Sequence, residues 1–147
     1  MQFFYYLLAL LSGALMPTQA AINNKLSGEV GNPVLAAFIS FGVGVIGLFA
    51  YILASGIPLQ NLSAARNAPW IAWTGGLCGA FFVAATVFVV PRIGVALLFG
   101  ILVLGQMLAS LPIDHFGFLG TEVREISVPR IIGVILVVIG VFLVQKY

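Results

Sequence analysis

Charged residues are scarce in this chain. Its 147 residues include four acidic and six basic side chains, 7% of the total, whereas 62% are apolar. Soluble domains carry about 25% charged residues, and a domain of this length still exposes about 30% of the surface of its unfolded chain. So few charged groups exclude a water-soluble fold, and we expect the chain to lie in a lipid bilayer.

Cysteine and histidine are almost absent, since Cys78 and His115 are the single examples. One cysteine cannot form a disulfide within the chain, and with so few ligands we predict no metal site and no cofactor. Nucleophile, base and oxyanion-stabilising groups do not occur together, so we do not predict an enzyme. The basic residues are isolated, which excludes the basic cluster that binding to a nucleic acid requires.

Long apolar runs, by contrast, are abundant. A bilayer core about 30 Å thick is crossed by a helix of about 20 apolar residues. The sequence therefore predicts an all-α membrane protein with a single transmembrane domain, 1–147, and five transmembrane helices at about 3–22, 34–54, 70–90, 93–111 and 129–147. The longest predicted connection, about 112–128, carries five titratable side chains: Asp114, His115, Glu122, Arg124 and Glu125.

Basic residues are balanced between the two sides of this five-helix arrangement. The side of the N-terminus holds three of them: Arg66, Arg124 and Arg130. The opposite side holds the other three: Lys25, Arg92 and Lys146. Orientation follows an excess of Lys and Arg on the cytoplasmic side, so this balance predicts insertion in both orientations, unless the N-terminal amine decides between them.

Two chains in opposite orientations would together resemble a carrier that is built from two inverted halves. Many carriers contain two repeats that are inverted about an axis in the membrane plane, whereas this sequence contains no internal repeat. A chain with an odd number of helices can obtain its inverted half from a second copy through a two-fold contact. We therefore predict an antiparallel homodimer of ten helices, with pairing to a paralogue as the alternative.

Four sequence segments carry a family resemblance. They are Gly75-Gly76-Leu77-Cys78-Gly79-Ala80-Phe81-Phe82-Val83, Val90-Pro91-Arg92-Ile93-Gly94, Gly105-Gln106 and Asp114-His115-Phe116-Gly117. Together they resemble the YdcZ family of the drug/metabolite transporter superfamily. The resemblance implies a multi-pass protein of the bacterial inner membrane, similar to half of a ten-helix EamA-type carrier and related to the small multidrug resistance exporters.

One difference from those exporters concerns the first helix. The small multidrug exporters carry a glutamate there that exchanges protons for cationic drugs, whereas this helix contains no acidic residue. Its polar positions are Ser12, Thr18, Gln19, Asn23 and Asn24. Proton-coupled efflux of lipophilic cations is therefore not expected, and a small neutral or zwitterionic polar or aromatic metabolite fits better.

Two helices carry candidate substrate-binding residues at helical spacing. Ser12, Gln19 and Asn23 share one face of the first helix with Met16. On the fourth helix Gln106 and Ser110 are one turn apart, and Gln106 is the strongest single candidate. The alternative role for these polar groups is to hydrogen-bond neighbouring helices.

Aromatic residues, glycines and helix-end charges supply the remaining candidates. Trp73 and Tyr51 are candidate substrate contacts, although Trp73 is also typical of the aromatic belt at a membrane surface. Three ionisable residues are candidates for gating or proton relay: Asp114, His115 and Arg92. Gly133 and Gly140 form a candidate dimerisation face, or equally a contact within one chain.

These features favour a small-solute carrier that works by alternating access. Its predicted partners are the solute, the lipid bilayer and an inverted copy of the chain. A dual-topology ion channel of the fluoride-channel type is the alternative, because its size and charge balance would be the same. An accessory membrane subunit without transport activity is a third possibility.

Overall fold

Eight helical segments follow one another in the computed structural model, which describes residues 2–147. Five are α-helices: α1 (Gln2–Val30), α2 (Pro33–Ala54), α3 (Gly75–Ile93), α4 (Val95–Phe116) and α5 (Val128–Lys146). Three are short 3-10 helices: Leu59–Asn67, Trp70–Thr74 and Phe118–Gly120. With Trp70–Thr74 counted together with α3, five segments are long and apolar enough to cross a membrane. The predicted all-α fold with five candidate spans is confirmed.

Helix α1 continues beyond the predicted apolar run, from about residue 22 to Val30. Apolar length predicts where a span leaves the hydrocarbon, but polar residues can extend the helix further. The helix ends before Gly31, which adopts a φ of +70°, a conformation that glycine adopts without steric cost. The next helix then begins at an N-cap, because Asn32 Oδ1 accepts hydrogen bonds from the backbone N–H of Val34 (2.8 Å) and Leu35 (3.2 Å).

Helix α4 passes through Pro112 without ending. The sequence predicted its end at about residue 111, whereas the helix continues to Phe116. Proline removes one backbone hydrogen bond, and such a loss is tolerated in membrane helices when neighbouring groups adjust. The helix ends instead at Gly117, which adopts a left-handed φ of 63° while its N–H donates to the carbonyl of Ile113. The connection to α5 therefore starts five residues later than predicted.

The first of two compact units ends at Arg92. Within it α1 packs against α2, and a small core forms from Ala37 on α2 with Val83 and Val87 on α3. The Phe41 side chain of α2 also reaches α3, because a Cβ at Gly79 would lie 3.5 Å from the Phe41 ring, an ordinary contact distance. These two helices therefore meet through their side chains.

The second unit runs from Ile93 to Tyr147 and consists of the α4–α5 pair with its connection. Its connection folds back onto the end of α4 through backbone and side-chain hydrogen bonds. Thr121 Oγ1 donates to the Ile113 carbonyl at 3.2 Å, and the Arg124 N–H donates to the Asp114 carbonyl at 2.8 Å. The segment between the helices is therefore held close to both of them.

Candidate functional site

A cavity of about 400 Å³ lies in the first unit, and its volume is within the range typical of small-molecule sites. Six of its lining residues come from α1 and one comes from α2. They are Leu15, Met16, Thr18, Gln19, Ile22, Asn23 and Ser40. Apolar walls with a few amide and hydroxyl groups are the usual lining of a site for a small organic molecule.

Asn23 is the most unusual residue of this cavity. Its side chain is only 3% exposed, and its Nδ2 atom has no hydrogen-bond partner among the described residues. An unpaired buried amide costs about 1–3 kcal/mol, and nearly all buried polar groups in proteins are paired. Asn23 lines the cavity, so a rotation of its side chain would turn this unpaired donor toward an acceptor atom of a solute.

The remaining polar residues of the cavity offer neutral groups. The Thr18 hydroxyl donates to the Ala14 carbonyl at 3.0 Å, so its oxygen remains free to accept. Gln19 is exposed and Ser40 is half-buried. None of the lining side chains is ionisable, so the cavity offers hydrogen bonds without a fixed charge.

Three of the four residues that the sequence placed on one face of α1 lie together in this cavity. They are Met16, Gln19 and Asn23. The fourth, Ser12, does not line it. Its hydroxyl is exposed and donates to the Leu8 carbonyl of the same helix at 2.8 Å.

Tyr51 and Trp73 also lie outside this cavity, with exposures of 65% and 64%. Arg92, the candidate gating residue at the end of α3, bonds within its own helix. Its Nη1 atom donates to the Phe88 carbonyl, and its guanidinium lies 3.7 Å from the centre of the Phe88 ring. The structure therefore does not bring these three residues together with the amides of α1.

The second unit has a cavity of its own, with a volume of about 250 Å³. It is lined by Met107, Ser110, Leu111, Asp114, Arg130 and Gly133. Ser110 and Asp114 line it together, one helical turn apart, because Pro112 does not interrupt the helix. Arg130 Nη1 lies 3.4 Å from Asp114 Oδ2.

Among the sequence predictions, Arg130 bears only on topology, as one of the three basic residues on the side of the N-terminus. The sequence did indicate the ion pair with Asp114, because an acidic residue near the end of one helix and a basic residue at the start of the next often meet across the connection between them. The predicted break at Pro112 obscured that relationship. With α4 extended to Phe116, both residues lie in terminal helical turns.

His115 faces the connection. Its Nδ1 atom accepts a hydrogen bond from the backbone N–H of Ile126 at 3.3 Å, and its ring packs edge-on against Phe116. The imidazole thereby helps to hold the connection against the end of α4.

Gln106 and the two glycines of α5 differ in their surroundings. Gln106 is exposed and does not line the second cavity. Gly133 borders that cavity, whereas Gly140 does not, and a Cβ added at either glycine would meet no atom within 4 Å. Both positions leave room that a neighbouring surface can fill.

The sequence pattern of one known protein family matches nearly the whole chain. The model described as "Putative inner membrane exporter, YdcZ" matches residues 4–143. This chain belongs to the YdcZ family. The resemblance noted in the sequence is thereby confirmed, and it extends over all five candidate spans.

A curated relative in this family is the inner membrane protein YdcZ of Escherichia coli (strain K12), which is 35% identical over 77 residues. The alignment covers 52% of this chain, and the chain spans about half (51%) of the length of that relative. No solved structure matches the chain. Membership of the YdcZ family, together with the five apolar helices, assigns this chain to the inner membrane as a multi-pass protein.

Proposed function

We propose that this chain is a small-solute carrier that works by alternating access as an antiparallel homodimer with dual topology. Its substrate is a small polar or aromatic metabolite that is neutral or zwitterionic. The observation that carries this proposal is the cavity beside α1, where the buried Asn23 amide lacks a partner. Membership of a family described as inner membrane exporters supports transport as the activity.

The lining of the first cavity supports a substrate without net charge. Desolvating an ion is costly unless an opposite charge compensates for it, and no ionisable side chain lines this cavity. Amide and hydroxyl groups instead match the carbonyl, hydroxyl or amine groups of a polar metabolite. The absence of acidic residues from helix α1 between residues 2 and 28 removes the group that would exchange a proton for a cation.

Two observations support the pairing with an inverted copy. The basic residues are balanced three against three across the five spans. In addition, Gln106 lies within the α4 span and is exposed. An amide that faces hydrocarbon without a partner is costly, and a second copy that covers this surface would shield Gln106 from lipid and leave its amide available to the solute.

Transport assays on the purified protein test this function. A thermal-shift screen of small polar metabolites first identifies a solute that binds, and counterflow of that solute is then measured in liposomes. A carrier shows saturable uptake and counterflow, because each transport cycle requires a conformational change. Steady ionic current without saturation would instead establish a channel, and the absence of both solute binding and ionic current would favour an accessory subunit.

A further inference from the structure

The second unit contains two opposite charges at the edge of one cavity. Arg130 Nη1 lies 3.4 Å from Asp114 Oδ2, and the two side chains are 31% and 35% exposed. This contact is an ion pair but not a hydrogen bond, since the one hydrogen bond of the Arg130 side chain within residues 2–147 goes from Nη1 to the Arg124 carbonyl, at 3.2 Å. The Nε and Nη2 donors of Arg130 and the Asp114 carboxylate therefore retain unused hydrogen-bonding capacity.

We propose that the cavity between Asp114 and Arg130 binds a small zwitterion that carries both a carboxylate and an ammonium group. The carboxylate pairs with the Arg130 guanidinium, whose planar fork matches two oxygen atoms. The ammonium pairs with the Asp114 carboxylate. Met107, Leu111 and Gly133 line the same cavity and leave an apolar surface for a short aliphatic side chain.

The positions of Asp114 and Arg130 at helix ends favour a zwitterion bound between them over a direct ion pair alone. Asp114 lies in the last turn of α4 and Arg130 in the first turn of α5. A helix C-terminus carries partial negative charge and an N-terminus partial positive charge, so each side chain lies at the helix end that disfavours its own charge. A bound carboxylate would be stabilised by Arg130 and by the start of α5, and a bound ammonium by Asp114 and by the end of α4.

The backbone of one residue holds both charges in position before a ligand arrives. Arg124 donates its N–H to the Asp114 carbonyl at 2.8 Å, and its own carbonyl accepts from Arg130 Nη1. The Arg124 side chain is directed to Glu122 instead, at 3.3 Å, and both of those side chains are largely exposed. Arg124 therefore supplies a matched control, because its side chain can be neutralised without altering either charge at the cavity.

The cavity volume limits the size of the ligand. At about 250 Å³ the cavity is slightly smaller than the 300–1,000 Å³ typical of ligand sites. A free amino acid with a small or medium aliphatic side chain satisfies both the charge pattern and the size. Such binding is independent of transport and requires only a folded second unit.

Isothermal titration of the full-length protein in detergent tests this site with glycine, L-alanine and L-valine. We expect L-valine to bind, and we expect L-valinamide and N-acetyl-L-valine to bind about 10- to 100-fold more weakly, because each lacks one of the two charges. Arg130→Gln and Asp114→Asn should each weaken L-valine binding by a similar factor. Arg124→Gln should leave it unchanged.

Testing each variant with the analogue that lacks the matching charge distinguishes direct ligand contact from a purely structural ion pair. Arg130→Gln should not weaken L-valinamide, which has no carboxylate for Arg130 to bind, and Asp114→Asn should not weaken N-acetyl-L-valine, which has no ammonium. The Asp114→Asn/Arg130→Gln double variant avoids leaving one charge unpaired and should fold while losing L-valine binding.

Three results would overturn this assignment. They are equal weakening of all probes by the single variants, unchanged L-valine binding in the double variant, and no binding of any of the three amino acids to folded wild-type protein. Because the assay measures binding alone, L-valine binding without L-valine counterflow would leave the zwitterion site intact. The transport function would be contradicted separately, by the failure of every solute in the counterflow assay.

Discussion

Gly100 on α4 lies directly against Val141 on α5. A Cβ at position 100 would come within 3.0 Å of Val141 Cγ2, closer than side chains normally pack. The absence of a side chain at Gly100 therefore allows the two helices of the second unit to approach each other, as small residues commonly do in membrane proteins.

Gly100→Ala should consequently destabilise the second unit, whereas Gly105→Ala should not. Both changes gain up to about 1 kcal/mol of helix propensity, and a Cβ at Gly105 meets nothing within 4 Å. Overpacking costs about 1–3 kcal/mol, so Gly100→Ala should unfold at a lower temperature than Gly105→Ala in detergent. When Val141→Ala is added to both variants, their melting temperatures should become equal. Equal melting temperatures for the two single variants without Val141→Ala would refute this packing role.

Asn23→Leu should abolish binding of the transported solute without lowering stability. The change removes a buried amide nitrogen that has no partner among the described residues, and such a group costs about 1–3 kcal/mol. We therefore expect the free energy of unfolding to stay the same or to rise by about 1 kcal/mol, while counterflow is lost. Ser12→Ala is the control, because Ser12 does not line the cavity and bonds within its own helix. Counterflow that survives Asn23→Leu would remove this amide from the site.

Gln106→Leu should abolish transport through a different route. Gln106 is exposed in the single chain, so its replacement should barely change the stability of the monomer. In the proposed dimer the second copy covers the surface around Gln106, and the Gln106 amide binds the solute there. We expect the dimer to remain intact by size-exclusion chromatography with light scattering while counterflow disappears. If Gln106→Leu transports as well as the wild type, the residue does not belong to the substrate path.

Gly117→Ala should loosen the connection between α4 and α5 more than Gly120→Ala does. Both glycines have positive φ, which costs other residues about 1–2 kcal/mol. Only Gly117 adds a steric conflict, because a Cβ there would lie 2.9 Å from Val123 Cγ2. The Val123→Ala change should recover part of this loss but not all of it, because the Thr121 carbonyl oxygen would still lie 3.3 Å from the new Cβ. Thermal unfolding in detergent, together with hydrogen exchange of residues 117–127, measures the difference.

Dual topology predicts that reporters fused to the C-terminus are found on both sides of the membrane. Introducing Gln60→Lys and Asn67→Lys into the exposed Leu59–Asn67 segment should favour one orientation and remove transport, because orientation follows Lys and Arg. Coexpression with an oppositely biased variant should restore activity. The matched Gln60→Glu/Asn67→Glu variant should retain both orientations, since acidic residues contribute little to topology. A locked variant that transports alone would contradict the antiparallel pairing.

The sequence was most informative where apolar length was decisive. Five runs of about 20 apolar residues match the observed candidate spans, because lipid imposes this length on any helix that crosses it. Helix ends were less predictable. Polar residues after Ile22 extend α1 to Val30, and α4 continues past Pro112, since a missing hydrogen bond in a long helix can be compensated by its surroundings.

Helical spacing also located part of the first cavity. It placed Met16, Gln19 and Asn23 on one face, and these residues do lie together. It could not distinguish Asn23 from Ser12, which shares that face, because burial depends on where α2 passes along α1. Spacing placed Gln106 and Ser110 one turn apart on α4, but it could not show that Ser110 would share a cavity with Asp114 and with Arg130 of α5.

What the sequence determined by itself was the solvent and the number of crossings, since both follow from the amount and length of apolar residues. It also determined that α1 offers amides and hydroxyls without an acidic group over residues 2–28. Only the tertiary structure decided which polar groups lack partners and which charges meet. The Asn23 amide is buried while Gln106 is exposed, and Asp114 meets Arg130, because each of these outcomes depends on a neighbouring segment that the local pattern does not specify.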